Sequence, residues 1–332
     1  MNLIRIILFP VVPIYYLITW LRNWLYDVGI KSSKSYDFPV ICVGNLSTGG
    51  TGKTPMIEYL IRLLKDNKSL ATLSRGYKRK TNGFVLADNN ANADTIGDEP
   101  FQFFSKFKDV TVAVDADRQH GILELRNLKP QPDVILLDDA FQHRKVKAGF
   151  NIMLTAYNNL YYKDWVLPTG NLREPRSGVK RADLIVVTKC NKDISDAEKQ
   201  KIASKIYLKE NQQLFFSYVD YSTKVLSVSK TMELIDLPEF TLVTGIANAK
   251  PLVDFLLEQG LKFNHLEYSD HYNFKVSDIE TIASKTMILT TEKDYVRLSD
   301  NEELKNKLFY LPIEIKIDKT EEFNSAVRAF IS

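Results

Sequence analysis

Residues 39–54 read Pro39-Val40-Ile41-Cys42-Val43-Gly44-Asn45-Leu46-Ser47-Thr48-Gly49-Gly50-Thr51-Gly52-Lys53-Thr54. Val40, Ile41, Cys42 and Val43 form a short run of β type. A loop with three glycines follows, then Lys53, Thr54 and a stretch in which Met56, Ile57, Leu60, Ile61 and Leu64 recur at helical spacing. Strand, glycine loop, Lys-Thr and helix in that order specify a phosphate-binding loop. The glycines let successive backbone N–H groups converge on phosphate oxygens, and the new helix turns its positive end toward them. On this reading Ser47 through Thr54 hold the nucleotide. Lys53 reaches the β- and γ-phosphates, and the Thr54 hydroxyl holds Mg²⁺. The expected ligands are therefore ATP and Mg²⁺.

The usual pattern places a glycine where Ser47 stands. The loop fits better as x-Gly-Gly-x-Gly-Lys-Thr, a form similar to that of partitioning ATPases and nitrogenase-iron-protein relatives, although these often carry Lys where Thr48 stands. A plain glycine turn with a chance Lys-Thr would explain the loop, but not the strand and helix that flank it.

Working outward, 332 residues are enough for two domains. Hydrophobic residues make up 45% and charged residues 26%, a balance that suits a folded globular chain. A net charge of +3, without a basic stripe interleaved with aromatics, argues against a nucleic-acid partner. The two cysteines, Cys42 and Cys190, lie in apolar runs and read as buried, reduced thiols, which suits the cytosol.

Residues 6–21 are apolar except Thr19, but Pro10 and Pro13 interrupt them, and the stretch is shorter than the ~20 residues a spanning helix needs. After Pro13 the residues Ile14, Leu17, Ile18, Leu21 and Leu25 fall on one helical face, with Arg22, Asn23 and Asp27 on or near the other. Tyr15, Tyr16, Trp20, Trp24 and Tyr26 are the aromatics favoured at a membrane–water boundary. Arg5, Arg22, Lys31 and Lys34 could meet anionic head groups. The expectation is a monotopic helix lying in the membrane surface; the bland alternative is a helix packed on the protein's own core.

Between the phosphate loop and residue 220, strand-like runs alternate with helical ones. Several end in charged clusters: Ser74-Arg75-Gly76-Tyr77 followed by Lys78, Arg79 and Lys80, then Arg118, then Asp138-Asp139. Ligands in open α/β sheets sit beyond the carboxyl ends of strands. Residues 133–139, Asp-Val-Ile-Leu-Leu-Asp-Asp, supply the second half of the ATPase signature, in which a buried strand delivers a carboxylate beside the metal. Asp98 reads as a helix cap at 97–100. Residues 160–181 form a long irregular segment bearing Arg173, Glu174, Arg176 and Arg181, a type of loop that is often functional.

The pattern restarts near residue 224 without a second glycine loop. The expected organisation is a membrane-associated helix (1–30), a P-loop domain with a doubly wound, mostly parallel sheet (31–220), and a smaller α/β domain (221–319). The closing helix, 320–332, is a candidate to return to the P-loop domain.

Six motifs in order carry a close resemblance to one family. They are Gly44-Asn45-Leu46-Ser47-Thr48-Gly49-Gly50-Thr51-Gly52-Lys53-Thr54-Pro55, Ser74-Arg75-Gly76-Tyr77, Gly97-Asp98-Glu99-Pro100, Leu137-Asp138-Asp139-Ala140-Phe141-Gln142-His143-Arg144, Leu167-Pro168-Thr169-Gly170-Asn171-Leu172-Arg173-Glu174-Pro175 and Thr291-Glu292-Lys293-Asp294. Together they resemble the tetraacyldisaccharide 4'-kinases, from the apolar N-terminus to about Arg297. Asn171 departs from the proline expected there and leaves Arg173 and Glu174 in place. The resemblance implies that ATP phosphorylates the 4'-hydroxyl of a tetraacylated glucosamine disaccharide 1-phosphate, giving lipid IVA at the cytosolic face of the inner membrane. It implies Asp98 as general base with His271 as its partner from the second domain, and Lys53 and Asp139 beside them in catalysis. It further implies metal contacts from Thr54, Asp138 and Glu174, and substrate contacts from Arg75, Tyr77, Arg118, Gln142 and Arg173. The competing reading is a membrane-associated, partitioning-type ATPase switch acting on protein partners. The absence of Lys at position 48 and the Arg- and Glu-bearing loop at 160–181 count against it.

Overall fold

The protein is described here by a computed structural model covering residues 5, 7–270 and 272–332. Eight strands come first: β1 (Val40–Asn45), β2 (Leu70–Ser74), β3 (Val85–Leu86), β4 (Thr111–Val114), β5 (Val134–Asp138), β6 (Phe150–Ala156), β7 (Leu184–Thr188) and β8 (Gln213–Tyr221). Six more build a second sheet: β9 (Lys224–Leu226), β10 (Thr231–Glu233), β11 (Phe240–Thr244), β12 (Phe263–Glu267), β13 (Ile288–Thr291) and β14 (Leu308–Leu311). The last strand, β15 (Ile313–Ile317), returns to the first sheet and pairs antiparallel with β8.

The first sheet has the order β15-β8-β7-β6-β1-β5-β2-β4-β3. It is parallel from β8 to β4; only its outermost strands, β3 and β15, run antiparallel. Its inner strands are unbroken apolar runs, because a parallel sheet is covered by helices on both faces and each side chain meets a core. One core holds Cys42, Leu73, Leu137, Met153 and Val187. The opposite core holds Ile41, Val43, Leu136, Ile152 and Val186. Cys42 and Cys190 are buried and free, and burial pushes their thiols up to about 12 and about 11. Such thiols stay protonated and inert.

The second sheet has the order β10-β9-β14-β13-β11-β12. Residues 308–317 are one extended run in sequence but two strands in space. Pro312, which has no backbone N–H for a ladder, separates β14 in the second sheet from β15 in the first. The closing helix Thr320–Ile331 then buries Phe323, Val327 and Ile331 in a core of the first sheet. The chain thus re-enters the first unit at Ile313, before that helix begins.

The N-terminal helix Val12–Asp27 is fastened through its polar side. Asn23 donates to Glu174 at 2.6 Å, Arg22 to the Gln142 carbonyl at 2.7 Å, and the Tyr15 hydroxyl to the Arg173 carbonyl at 2.9 Å. The opposite side faces outward: Ile14 is 61% exposed, Leu17 58%, Ile18 60% and Leu21 44%. Leu25, expected on that face, is half-buried. Trp20 and Trp24 stack beside it with ring centroids 6.4 Å apart. Among the described residues no helix is long and apolar enough to cross a membrane.

Gly44 lets the loop after β5 lie directly on the phosphate-loop strand. A Cβ there would stand 2.6 Å from the Phe141 Cβ and 3.1 Å from its backbone nitrogen. Gly44→Ala is therefore expected to destabilise the fold by roughly 1–3 kcal/mol through overpacking, read as a Tm several degrees lower by calorimetry. An unchanged Tm would mean that the 139–142 loop can retreat.

Candidate active site

The register of the central strands brings the site together. β1 and β5 are adjacent and parallel, with Val43 opposite Asp138, so the phosphate loop and the acidic pair leave the sheet side by side. Gly49 and Gly52 take left-handed φ values of 97° and 86°, a region that disfavours side chains. The loop is held on two sides. Thr188 at the end of β7 donates to the Thr51 carbonyl at 2.7 Å, and the Thr48 N–H donates to the Asn171 carbonyl at 2.7 Å. Ser47 pairs with Leu172 in an isolated β-bridge. The long 160–181 segment therefore lies against the phosphate loop.

The doubled acid splits into two environments. Asp139 takes two contacts from Arg173, at 2.7 and 3.2 Å, and stands 3.8 Å from the Lys53 ammonium. Burial works to raise its carboxyl, but Lys53 and Arg173 outweigh that and hold it below the usual range. Asp138 is buried and pushed up to about 7, first by lost hydration and then by repulsion from Glu99 and Asp139, against the pull of Lys53 and Arg118. Ser74 donates to one of its oxygens at 3.2 Å, while the other, Oδ1, is buried with no hydrogen-bond partner. An orphaned buried carboxylate oxygen marks a position where a cation fits.

Thr54 donates to Glu99 at 3.1 Å. Thr54, Glu99 and Asp138 thus offer one hydroxyl and two carboxylates. An all-oxygen set of this size suits Mg²⁺, which keeps several waters and takes its remaining ligands from phosphates. Among the described residues no group of three or more His, Cys, Asp or Glu side chains could hold a metal ion by itself. Glu99 was not among the expected site residues. Its only signal in the sequence is that it is the second acid of a Gly-Asp-Glu-Pro turn.

Glu174 departs from the metal role expected of it. It is fully buried, and its oxygens accept from Asn23 at 2.6 Å, Gln142 at 2.9 Å and Arg181 at 2.7 Å. With three donors already on it, the carboxylate serves as an internal anchor. Gln142 departs likewise from a substrate contact: its amide nitrogen also donates to the Asn45 carbonyl at 2.7 Å. Arg118 is buried and donates to the Asp115 and Asp138 carbonyls at 2.9 and 3.3 Å. It braces the ends of β4 and β5 and does not face open space. Arg75 and Tyr77 do face it: both are exposed and line an open cleft of about 340 Å³ with Lys78 and Arg79.

Asp98 does not cap its helix. Gly97 occupies the cap position and Asp98 is the first residue of the helix Asp98–Lys106. Its carboxylate takes Arg297 of the second unit at 3.0 and 2.5 Å. His271 lies outside the described residues. A further cation, Lys189 at the end of β7, was missed by the sequence reading. Its pKa is lowered by lost hydration and by the nearby Lys293 and Lys53, and its ammonium lies 3.7 Å from where a Cβ on Gly50 would stand. A polyphosphate is the natural counter-charge.

A sequence model of the family described as tetraacyldisaccharide-1-P 4'-kinase matches residues 4–332. The tetraacyldisaccharide 4'-kinase of Flavobacterium johnsoniae is 51% identical, covering 100% of this chain and 98% of its own. That of Phocaeicola vulgatus is 44% identical over 99% of this chain and 96% of its own. A crystal structure of LpxK from Aquifex aeolicus in complex with ATP superimposes with a TM-score of 0.79 at 30% identity, covering 99% of this chain and 100% of that one.

The chain belongs to the tetraacyldisaccharide 4'-kinase family. The match runs the length of the chain, so it covers the N-terminal helix and the second unit as well as the phosphate loop. The fold is that of a P-loop nucleotide hydrolase carrying a second α/β unit. The activity is ATP-dependent phosphorylation in lipid A biosynthesis, and the partitioning-switch reading is set aside. Lys53→Ala should lower the phosphorylation rate by roughly 10²-fold or more, since a cation neutralising the transferring group contributes several kcal/mol. Near-normal turnover would remove Lys53 from the site.

Proposed function

We propose that the protein works at a membrane surface and uses Asp98 to activate the acceptor hydroxyl. The observation that carries the reading is the convergence at one end of the first sheet. The Lys53–Asp139 pair, the orphaned Asp138 oxygen, the Thr54–Glu99 contact and Asp98 are brought there by β1, β5 and the helix that begins at Asp98.

Phosphoryl transfer needs position and charge neutralisation more than covalent chemistry. The phosphate loop and the ammonium groups of Lys53, Lys189 and Lys293 hold the triphosphate. Thr54, Asp138 and Glu99 would hold Mg²⁺, which would supply positive charge against the triphosphate. Asp98 accepts the proton of the 4'-hydroxyl as its oxygen bonds to the γ-phosphorus, and the bond to the β-phosphate oxygen breaks to release ADP. Arg75 and Tyr77, with Lys78 and Arg79, face the open cleft where the acceptor's existing phosphate has cations to meet. Asp98→Ala should lower kcat by about 10²-fold or more with little change in KM for ATP. The assay is transfer of labelled phosphate to lipid disaccharide 1-phosphate in detergent, and an Asp98→Ala enzyme with normal kcat would exclude the base.

The acceptor's acyl chains stay in a bilayer, so the catalytic domain must be held against one. Ile14, Leu17, Ile18 and Leu21 point away from the protein, while Asn23, Arg22 and Tyr15 tie the helix to the loops around the site. A helix attached by its polar side and bare on its apolar side suits the interfacial region of a membrane. The reading places the enzyme at the cytosolic face of the inner membrane. Replacing Leu17 and Leu21 by Glu is expected to abolish co-sedimentation with anionic phospholipid vesicles while ATP binding and Tm are retained. A variant that still sediments would show that this face does not bind the membrane, and one that loses ATP binding and Tm together would show that the face belongs to the core.

A further inference from the structure

Arg297 sits on the helix Glu292–Leu298 of the second unit, yet its guanidinium lies on Asp98 of the first. Both contacts fall on the same carboxylate oxygen, Oδ2, from Nε at 3.0 Å and Nη2 at 2.5 Å. Its remaining terminal nitrogen, Nη1, donates to Asp294 at 3.1 Å and to the Gly245 carbonyl at 3.4 Å. Asp294 is fully buried and fixed in turn by the Gly245 N–H and the Thr291 hydroxyl, each at 2.8 Å. The carboxylate on the first unit is thereby held, through one planar fork, by the ends of β11 and β13 in the second.

We infer that Arg297 is a positioning residue for Asp98, orienting the carboxylate toward the acceptor hydroxyl. This rests on Asp98 being the general base. A carboxylate at the first residue of a helix has two free side-chain torsions, and a misplacement of about 1 Å can cost a reaction roughly 10²-fold. A planar fork fixes direction as well as charge, which a lysine's point charge does not. The pair also makes the base sensitive to where the second unit stands: Arg297 reaches Asp98 when the helix Glu292–Leu298 is seated against the helix Asp98–Lys106. The seating itself has a separate ion pair. Lys106 bridges Glu58 of the first unit, at 2.7 Å, and Glu292 of the second, at 2.5 Å. Arg297 can therefore be tested apart from docking.

The experiment compares Arg297→Gln, Arg297→Lys, Lys106→Met, Asp98→Ala and the Arg297→Gln/Asp98→Ala double variant in the full-length enzyme. Steady-state kinetics with ATP and lipid disaccharide 1-phosphate are read with Tm. Arg297→Gln is expected to lower kcat by about 10- to 100-fold with KM for ATP within about threefold. Arg297→Lys should recover part of that loss at a near-normal Tm. The double variant should be no slower than Asp98→Ala alone, because groups that act as a unit are non-additive. Lys106→Met should lower Tm with kcat little changed. If Arg297→Gln does not fold, Arg297→Lys decides, and a normal kcat in it overturns the inference. Three other results also overturn it: normal kcat in Arg297→Gln, losses that multiply in the double variant, or parallel losses of kcat and Tm in Arg297→Gln and Lys106→Met. Inactive Asp98→Ala with normal Arg297→Gln removes only the role of Arg297, whereas active Asp98→Ala removes the base itself.

Discussion

The carboxylate of Glu174 has no contact with water, and the surroundings of the phosphate loop are arranged to satisfy it. A buried charge left alone costs several kcal/mol, and here three donors from three parts of the chain meet it: Asn23 from the N-terminal helix, Gln142 from the loop after β5, and Arg181 from the turn before β7. Gln142 passes the constraint on to Asn45 at the end of the phosphate-loop strand. Arg173, the neighbour of Glu174, reaches Asn45 and Asp139. One buried acid thus links the outward-facing apolar helix to the strand that presents the nucleotide. It also explains the orientation of that helix. With its polar side committed inward to Glu174 and Gln142, its apolar side has only the outside to face.

The paired acids show how environment divides labour between identical groups. Asp138 and Asp139 are neighbours in sequence, but the left-handed backbone at Asp139, φ 48°, turns it off the line of the strand. Asp139 therefore meets Lys53 and Arg173, while Asp138 stays in the buried line of β5 beside Glu99. One carboxylate is held charged by cations already present. The other keeps a buried oxygen with no hydrogen-bond partner, the kind of position a cation fits. This follows the general pattern in which pairs of acids are driven apart by their surroundings to serve different ends.

The second unit is joined to the first by two adjacent crossings of the chain, at the end of β8 and at Pro312, where Tyr221 pairs with Ile313. Such a connection fixes one edge of the unit and leaves the rest to side-chain contacts. Those contacts are ion pairs, Lys106 with Glu292 and Arg297 with Asp98, on a helix whose first two residues are Asp98 and Glu99. The helix whose Glu99 meets the phosphate-loop Thr54 is thus also the one against which the second unit rests.

Much of this was legible in order along the chain. A strand, three glycines and Lys-Thr before an apolar-periodic helix specify a phosphate loop because each part has a local cause, and an unbroken run such as Val-Ile-Leu-Leu before Asp138 specifies a buried parallel strand for the same reason. The outward face at Ile14, Leu17, Ile18 and Leu21 was likewise set by helical periodicity. What the sequence left open were partners chosen across long separations. The family resemblance implied Glu174 as a metal ligand. Only the fold brings Asn23 and Arg181 onto it, from 151 residues and 7 residues away. Asp98 looked like a cap until Gly97 took that position and Arg297, 199 residues distant, took the carboxylate. Glu99 showed in the sequence only as the second acid of a Gly-Asp-Glu-Pro turn, because its partner is a Thr54 hydroxyl 45 residues earlier. Residues 308–317 read as one extended segment, since nothing local says that Pro312 divides them between two sheets. Backbone preference and hydrophobic period act over a few residues and can be read from them. Charge pairing in a low-dielectric interior is decided by whichever groups the packed chain brings within a few ångströms, and that is a property of the tertiary structure alone.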